Sequence, residues 1–89
     1  AMLGQKAKAR QLYDALWKIS MQYANYYMSL PQRYFDMSQS SCKMHFQIMM
    51  NLVNANDHTD RAWANKHAQQ LNGLMNRFAS LGGTWKQGE

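Results

Sequence analysis

The segment LYDALWKISMQYANYYMSL, residues 12–30, decides the fold class of this chain. Apolar side chains recur in it at steps of three and four residues: Leu12, Leu16, Ile19, Tyr23, Tyr26 and Leu30. This spacing is helical and does not fit a strand. A second row widens the apolar surface: Tyr13, Trp17, Ala24 and Tyr27. The pattern predicts a first helix over about residues 5–28, which ends before Pro31 because proline disfavours helical geometry in the residue that precedes it.

The next segment predicts a second long helix, from about Pro31 to Asn54. It also carries two rows at helical spacing. The first row is Phe35, Ser38, Cys42, His45, Met49 and Leu52, and the second is Tyr34, Met37, Ser41, Met44 and Ile48, continued towards Ala55. Residues 44–53 are apolar nearly all round, which indicates that the helix is covered on more than one side.

A third helix is predicted after the polar turn at residues 54–59, with Asp57 or Thr59 as its N-cap and Asp60 in its first turn. Its apolar positions are expected in the core: Ala64, Ala68, Leu71, Leu74, Met75, Phe78 and Leu81. Gly82 and Gly83 are expected to stop it. Trp85 is expected to fold back as a final anchor.

Three long helices with short connections predict a single all-α domain over residues 1–89, an antiparallel bundle. Hydrophobic residues make up 46% of the 89 residues, and the chain has three Trp, five Tyr, three Phe and eight Met. A small bundle buries about one apolar row per helix, so we expect self-association to complete the core. The residues expected at an oligomer or partner interface are Trp17, Tyr27, Met44, Phe46, Met50 and Val53.

The charge balance points to a polyanionic partner. Ten Lys and Arg against five Asp and Glu give a net charge of +5, and nine Gln and seven Asn add uncharged hydrogen-bonding groups. Such side chains suit phosphate and sugar contacts without strict base readout. The candidate residues for DNA or RNA are Lys6, Lys8, Arg10, Lys18, Arg33, Arg61, Lys66 and Arg77. The alternative is that these cations form a solvated surface that keeps the protein in solution.

Catalytic chemistry is not indicated. Cys42 and His45 lie one helical turn apart, but zinc needs four ligands, and His58 and His67 lie in the loop and on the third helix with no second cysteine. A catalytic thiol would need an orienting third group. We therefore predict no enzyme and no catalytic, cofactor-binding or metal-binding residue. A single cysteine, with no secretory signal at residues 1–6 and no apolar run long enough for a membrane span, predicts a cytoplasmic protein.

Several segments together resemble a known family. They are LPQRYF at residues 30–35, an apolar helix that ends in LVNA at 52–55, and LNGLMNRF at 71–78. In this pattern the chain resembles the accessory variability determinant (Avd) proteins of diversity-generating retroelements and the related four-helix bundles. The resemblance spans about residues 12–81, and it implies a basic, pentameric, nucleic-acid-binding bundle that partners a reverse transcriptase. It implies nucleic-acid-facing roles for Arg33, Arg61 and Arg77; the family has four helices, whereas this sequence predicts three.

Two functions follow as expectations. The first is a non-enzymatic, oligomeric accessory protein, of a mobile element or phage, that binds nucleic acid through its phosphates. The second is a protein-interaction module, such as an adaptor or inhibitor of phage or plasmid origin, which docks a partner through an exposed apolar helix face.

Overall fold

A computed structural model describes residues 2–84 of the chain, with side chains from Gly4 onward. Four helices lie in this range: α1 (Met2–Met28), α2 (Gln32–Met37), α3 (Gln39–Asn56) and α4 (Arg61–Ser80). No strand occurs among residues 2–84, so the predicted all-α class is confirmed. The expected return of Trp85 lies outside the described residues.

The three long helices form an antiparallel bundle that is longer than it is wide, with principal extents of 50 × 22 × 17 Å. α3 packs against both α1 and α4. α1 and α4 run in the same direction, and side chains bridge them at successive levels: Trp63 Nε1 donates to Asp14 at 2.7 Å, and Arg77 Nη1 donates to Asn25 at 3.1 Å. The helices therefore run up, down and up.

The predicted second helix is broken at Ser38, which corrects the expectation of one continuous helix from Pro31 to Asn54. Ser38 has φ −107° and ψ 11°, outside the helical range, and its hydroxyl donates to the carbonyl of Tyr34. A serine hydroxyl competes in this way with the regular backbone ladder. The break leaves α2 as a six-residue helix before α3 starts at Gln39.

Asp60 is the N-cap of α4, so the prediction of Asp57 or Thr59 is wrong. The Asp60 carboxylate accepts from the backbone N–H of Trp63 at 3.3 Å, whereas Asp57 is the C-cap of α3. All three residue types suit an N-cap, and their positions in the turn decide between them. α4 ends as predicted before Gly82, whose φ of +91° favours glycine.

The core has two aromatic clusters. Near the end of α4, the ring of Phe78 makes T-shaped contacts with Phe35 and Phe46, at centroid distances of 5.5 and 5.4 Å. At the other end, Trp63 stacks on His67 at 3.8 Å, and Trp17 packs edge-on against both. The predicted α4 residues Ala64, Leu71 and Phe78 are buried, and four others are half-buried: Ala68, Leu74, Met75 and Leu81. Trp63 and His67 were not predicted in this core.

The buried row of α1 mixes large, small and polar side chains. Trp17, Ser20, Ala24 and Met28 are buried, whereas the more uniformly apolar row from Leu12 to Tyr26 faces outward. Ser20 and Ala24 are small, which suits close approach of another helix. The larger apolar side chains of α1 are consequently left on the surface.

Candidate functional surfaces

The first candidate surface is an apolar row along the outside of α1, which we call the outer stripe. It consists of Leu12, Leu16, Ile19, Tyr23 and Tyr26, and their exposed fractions lie between 38% and 60%. The row occupies one side of the helix over about four turns and contains no charged residue. An exposed apolar patch of this kind is typical of a protein association site.

The outer stripe borders α3. Tyr23 stacks on the imidazole of His45 with a centroid distance of 4.9 Å and an interplanar angle of 5°, and Tyr27 stacks on the same ring at 6.1 Å. Ile48 lies on the same side of α3 as His45, three residues further on, and is half-buried. Three more large apolar residues are exposed on α2 and α3: Tyr34, Met37 and Met44.

The structure divides the residues predicted at an interface. Met44 is 54% exposed, and Tyr27, Met50 and Val53 are half-buried against the core. Trp17 and Phe46 are only 3% and 0% exposed, so their assignment to an interface is wrong. Both pack against aromatic residues of α4, which fill the space that a partner was expected to fill.

Cys42 and His45 do not form a thiol–imidazole pair. The Cys42 Sγ lies 3.9 Å from the carbonyl oxygen of Ala24, and burial raises the pKa of the thiol to about 11. A thiol with that pKa is almost entirely protonated near neutral pH, so it is a poor nucleophile. Burial also lowers the pKa of His45, and its Nδ1 is buried without a hydrogen-bond partner. Both residues act in packing between α1 and α3.

The second candidate surface lies along the seam between α1 and α4, and we call it the basic face. Lys18 follows Asp14 by four residues and Lys66 follows Trp63 by three, so both lysines lie on the side where Asp14 and Trp63 meet. Arg77 completes the cations of this face. Both lysines and Arg77 are exposed.

Amide side chains are interleaved with these cations. The Gln70 side-chain oxygen accepts from Trp17 Nε1 at 3.1 Å, and the Asn25 oxygen accepts from Arg77 at 3.1 Å. Arg77 also reaches the hydroxyl of Ser29 at 3.5 Å, so two of its five N–H donors are occupied by α1. The guanidinium of Arg77 is therefore held in place within the basic face.

The remaining predicted cations are not part of the basic face. Arg10 lies at one end of the same seam, where it forms an ion pair with Asp60 at 2.9 Å, and with Lys6 it lines a cleft of about 360 Å³ beside the turn between α3 and α4. Arg33 lies over the ring of Tyr34 at 5.5 Å. Lys8 and Arg61 are exposed, Lys8 one turn before the outer stripe and Arg61 at the start of α4. The structure thus brings together three of the eight predicted cations on the basic face, with Arg10 held by Asp60 at the end of the same seam.

Two structural features are absent from the described part of the chain. Within it, no group of three or more His, Cys, Asp or Glu side chains is placed to hold a metal ion. None of its helices combines the length and the apolar character that crossing a membrane requires.

In comparisons with family models, curated proteins and solved structures, none matches this chain. The resemblance to the Avd proteins therefore stays a prediction. The outer stripe and the basic face are the features of the structure that bear on function.

Proposed function

We propose that this chain is a non-enzymatic helical-bundle accessory protein that binds nucleic acid through phosphate contacts and works as an oligomer. The observation that carries the proposal is the basic face, where Lys18, Lys66 and Arg77 lie along one seam among amide side chains. Cations mixed with amides are the side chains that contact phosphates and sugars most often.

The dimensions of the basic face suit a nucleic-acid backbone. Lys66 and Arg77 are eleven residues apart on α4, which corresponds to about 16 Å at 1.5 Å per residue. That length equals about five base-pair steps of B-form DNA at 3.4 Å each. Side chains on an unbroken helix can therefore follow one strand over several phosphates. The sequence has no helix-turn-helix or zinc-finger pattern, so we expect binding without sequence preference.

Salt dependence gives the proposal a quantitative form. Each phosphate neutralised by a cation contributes about −0.9 to the slope of log K against log salt concentration for duplex DNA. Three cations of the basic face account for a slope of about −2.7. Between 50 and 200 mM salt, this corresponds to a loss of affinity of roughly 40-fold.

The test is a double variant, Lys18→Gln with Lys66→Gln, measured by fluorescence anisotropy on a 20-nucleotide duplex and on single-stranded DNA and RNA. We expect the slope to become less steep by about 1.8 on the duplex. The matched control is Lys8→Gln with Arg61→Gln, which removes the same charge elsewhere on the surface. Equal effects of the two double variants, or no binding by the wild-type chain at 50 mM salt, contradict the proposal.

The second candidate function is a protein-interaction module, and the observation that favours it is the exposed outer stripe. An adaptor or inhibitor would dock a partner helix on such a surface. The resemblance to the Avd proteins would make that partner a reverse transcriptase. This function predicts that the substitution Ile19→Asp abolishes partner binding, whereas removal of Lys18 and Lys66 leaves it intact.

A further inference from the structure

We infer that the outer stripe is covered by the same stripe of a second copy, in a two-fold symmetric dimer whose α1 helices run antiparallel. The inference gives the oligomer of the proposed function a contact surface and a symmetry. It rests on the proposed function only in that the chain works as an oligomer. The occupant follows from three observations: the exposed area, the placement of charge, and the arrangement of side chains about Ile19.

The exposed area exceeds that of a compact monomer of the same mass. The chain exposes 6245 Å², whereas a compact monomer of 10.4 kDa is expected to expose about 5,400 Å². The radius of gyration, 14.3 Å, likewise exceeds the value of about 12 Å for a domain of this length. With about 200 Å² for each large side chain, the exposed fractions give roughly 500 Å² for the outer stripe.

This area is enough for pairing. Two outer stripes together offer roughly 1,000 Å² of apolar side-chain surface, and a specific protein–protein interface buries at least about 1,000 Å² in total. Side-by-side pairing along the long axis of the bundle therefore reaches the lower end of the range for a specific interface.

The placement of charge permits two copies to approach. The chain carries a net charge of +5, which opposes self-association, but the outer stripe contains no cation. Around the axis of α1, Lys18 lies about 120° from the middle of the stripe. Pairing of two outer stripes therefore leaves both basic faces in solvent, on the outside of the dimer.

The order of side chains favours an antiparallel arrangement. Leu12 and Tyr26 lie seven residues on either side of Ile19, and Leu16 and Tyr23 lie three and four residues from it. Antiparallel pairing sets each leucine against a tyrosine of the partner, whereas parallel pairing sets tyrosine against tyrosine and leucine against leucine. A two-fold axis at Ile19 makes the interface self-complementary, as a closed dimer requires.

Sedimentation equilibrium at about 100 µM is the first test, on the wild type, Ile19→Asp and the control Gln69→Asp. Ile19 is 49% exposed, so the aspartate is compatible with folding, and circular dichroism checks the helix content. We expect a dimer for the wild type and the control. We expect a monomer for Ile19→Asp, with at least about a 100-fold weaker association, because two unpaired carboxylates would meet at the axis. A monomeric wild type, a larger ring, or a dimer that survives Ile19→Asp overturns the inference.

Cysteine cross-linking is the second test, and it probes the axis directly. Ile19→Cys places two thiols close together across the axis, so mild oxidation is expected to link most of the chains into covalent dimers. Cys42 can stay, because it is fully buried and its thiol is protonated. Gln69→Cys is the control, and it is expected to give only a few per cent of linked dimer. Equal cross-linking of the two variants overturns the placement of Ile19 at the contact between the two copies.

The same variants separate this inference from the proposed function. Ile19→Asp leaves Lys18, Lys66 and Arg77 unchanged. If this variant is a monomer and each chain binds nucleic acid with the same slope of log K against log salt concentration as the wild type, both the dimer and the proposed function are supported. A wild-type dimer that does not bind nucleic acid overturns only the proposed function. A wild-type monomer that binds with the expected slope overturns the dimer and the oligomeric part of the proposed function, but leaves the nucleic-acid binding standing.

Discussion

The substitution Asp60→Asn is expected to increase the affinity of the chain for nucleic acid. Asp60 Oδ2 holds Arg10 Nη2 at 2.9 Å, and the same carboxylate caps α4. Asparagine keeps the cap, because the two residues are about equally good N-caps, but it releases the guanidinium. One additional cation on phosphate makes the salt slope steeper by about 0.9. The lost ion pair is partly exposed, so unfolding should become easier by only about 0.2–1 kcal/mol.

Asp57→Asn is the matched control for this prediction. It removes the same charge from the same turn, but the Asp57 carboxylate contacts only His58, at 3.9 Å. Anisotropy titrations between 50 and 200 mM salt give the slopes, and urea denaturation gives the stability. If both substitutions steepen the slope equally, the release of Arg10 is not the cause, and the reasoning is refuted. A loss of stability above about 2 kcal/mol would show that asparagine does not maintain the cap.

Three further predictions concern the core. Phe78→Ala should lower the free energy of unfolding by about 3–5 kcal/mol in urea denaturation, because the ring is 1% exposed, and a loss below about 1 kcal/mol would contradict its burial. The pKa of His45 is lowered from 6.5 by burial, so its contribution to stability is present above pH 6.5 and is lost as the pH falls below it. His45→Phe should flatten this decline and His58→Phe should not; identical pH profiles would count against the burial of His45. The thiol of Cys42, with a pKa of about 11, should react with iodoacetamide at pH 8 only after denaturation, and labelling of the native chain would refute this.

Local features of the fold were predictable from the sequence because short-range chemistry determines them. Helical spacing located the three long helices, and Gly82 at φ +91° ended α4 where a glycine pair predicted an end. The break at Ser38 was missed because the helical spacing runs through it without a change. A serine hydroxyl that bonds back to the carbonyl of Tyr34 leaves no trace in a hydrophobic pattern.

The surfaces were less predictable because they depend on contacts between residues distant in the sequence. Both rows of α1 are apolar, and the spacing alone does not say which row meets α3. The large side chains of Trp17 and Trp63 fill the core at one level, whereas Ser20 and Ala24 are small enough for close packing. The signal that could have been used is this alternation of bulky and small residues in one row.

The basic face was predicted residue by residue but not as a group. Its members come from α1 and α4, and only the contacts that bridge Asn25 to Arg77 and Asp14 to Trp63 place them along one seam. The pairing of Arg10 with Asp60 joins residues fifty positions apart and has no signal in the local pattern.

α1 presents a core row, the outer stripe and one side of the basic face around a single helix, and this has a consequence for sequence variation. Nearly every side of its circumference is committed, so saturation mutagenesis should find few permissive positions between Leu12 and Tyr26 if both surfaces matter in the cell. One exposed row of α4 is the opposite case, since it holds four neutral amides: Asn65, Gln69, Asn72 and Asn76. Labels, tags and immobilisation chemistry belong there.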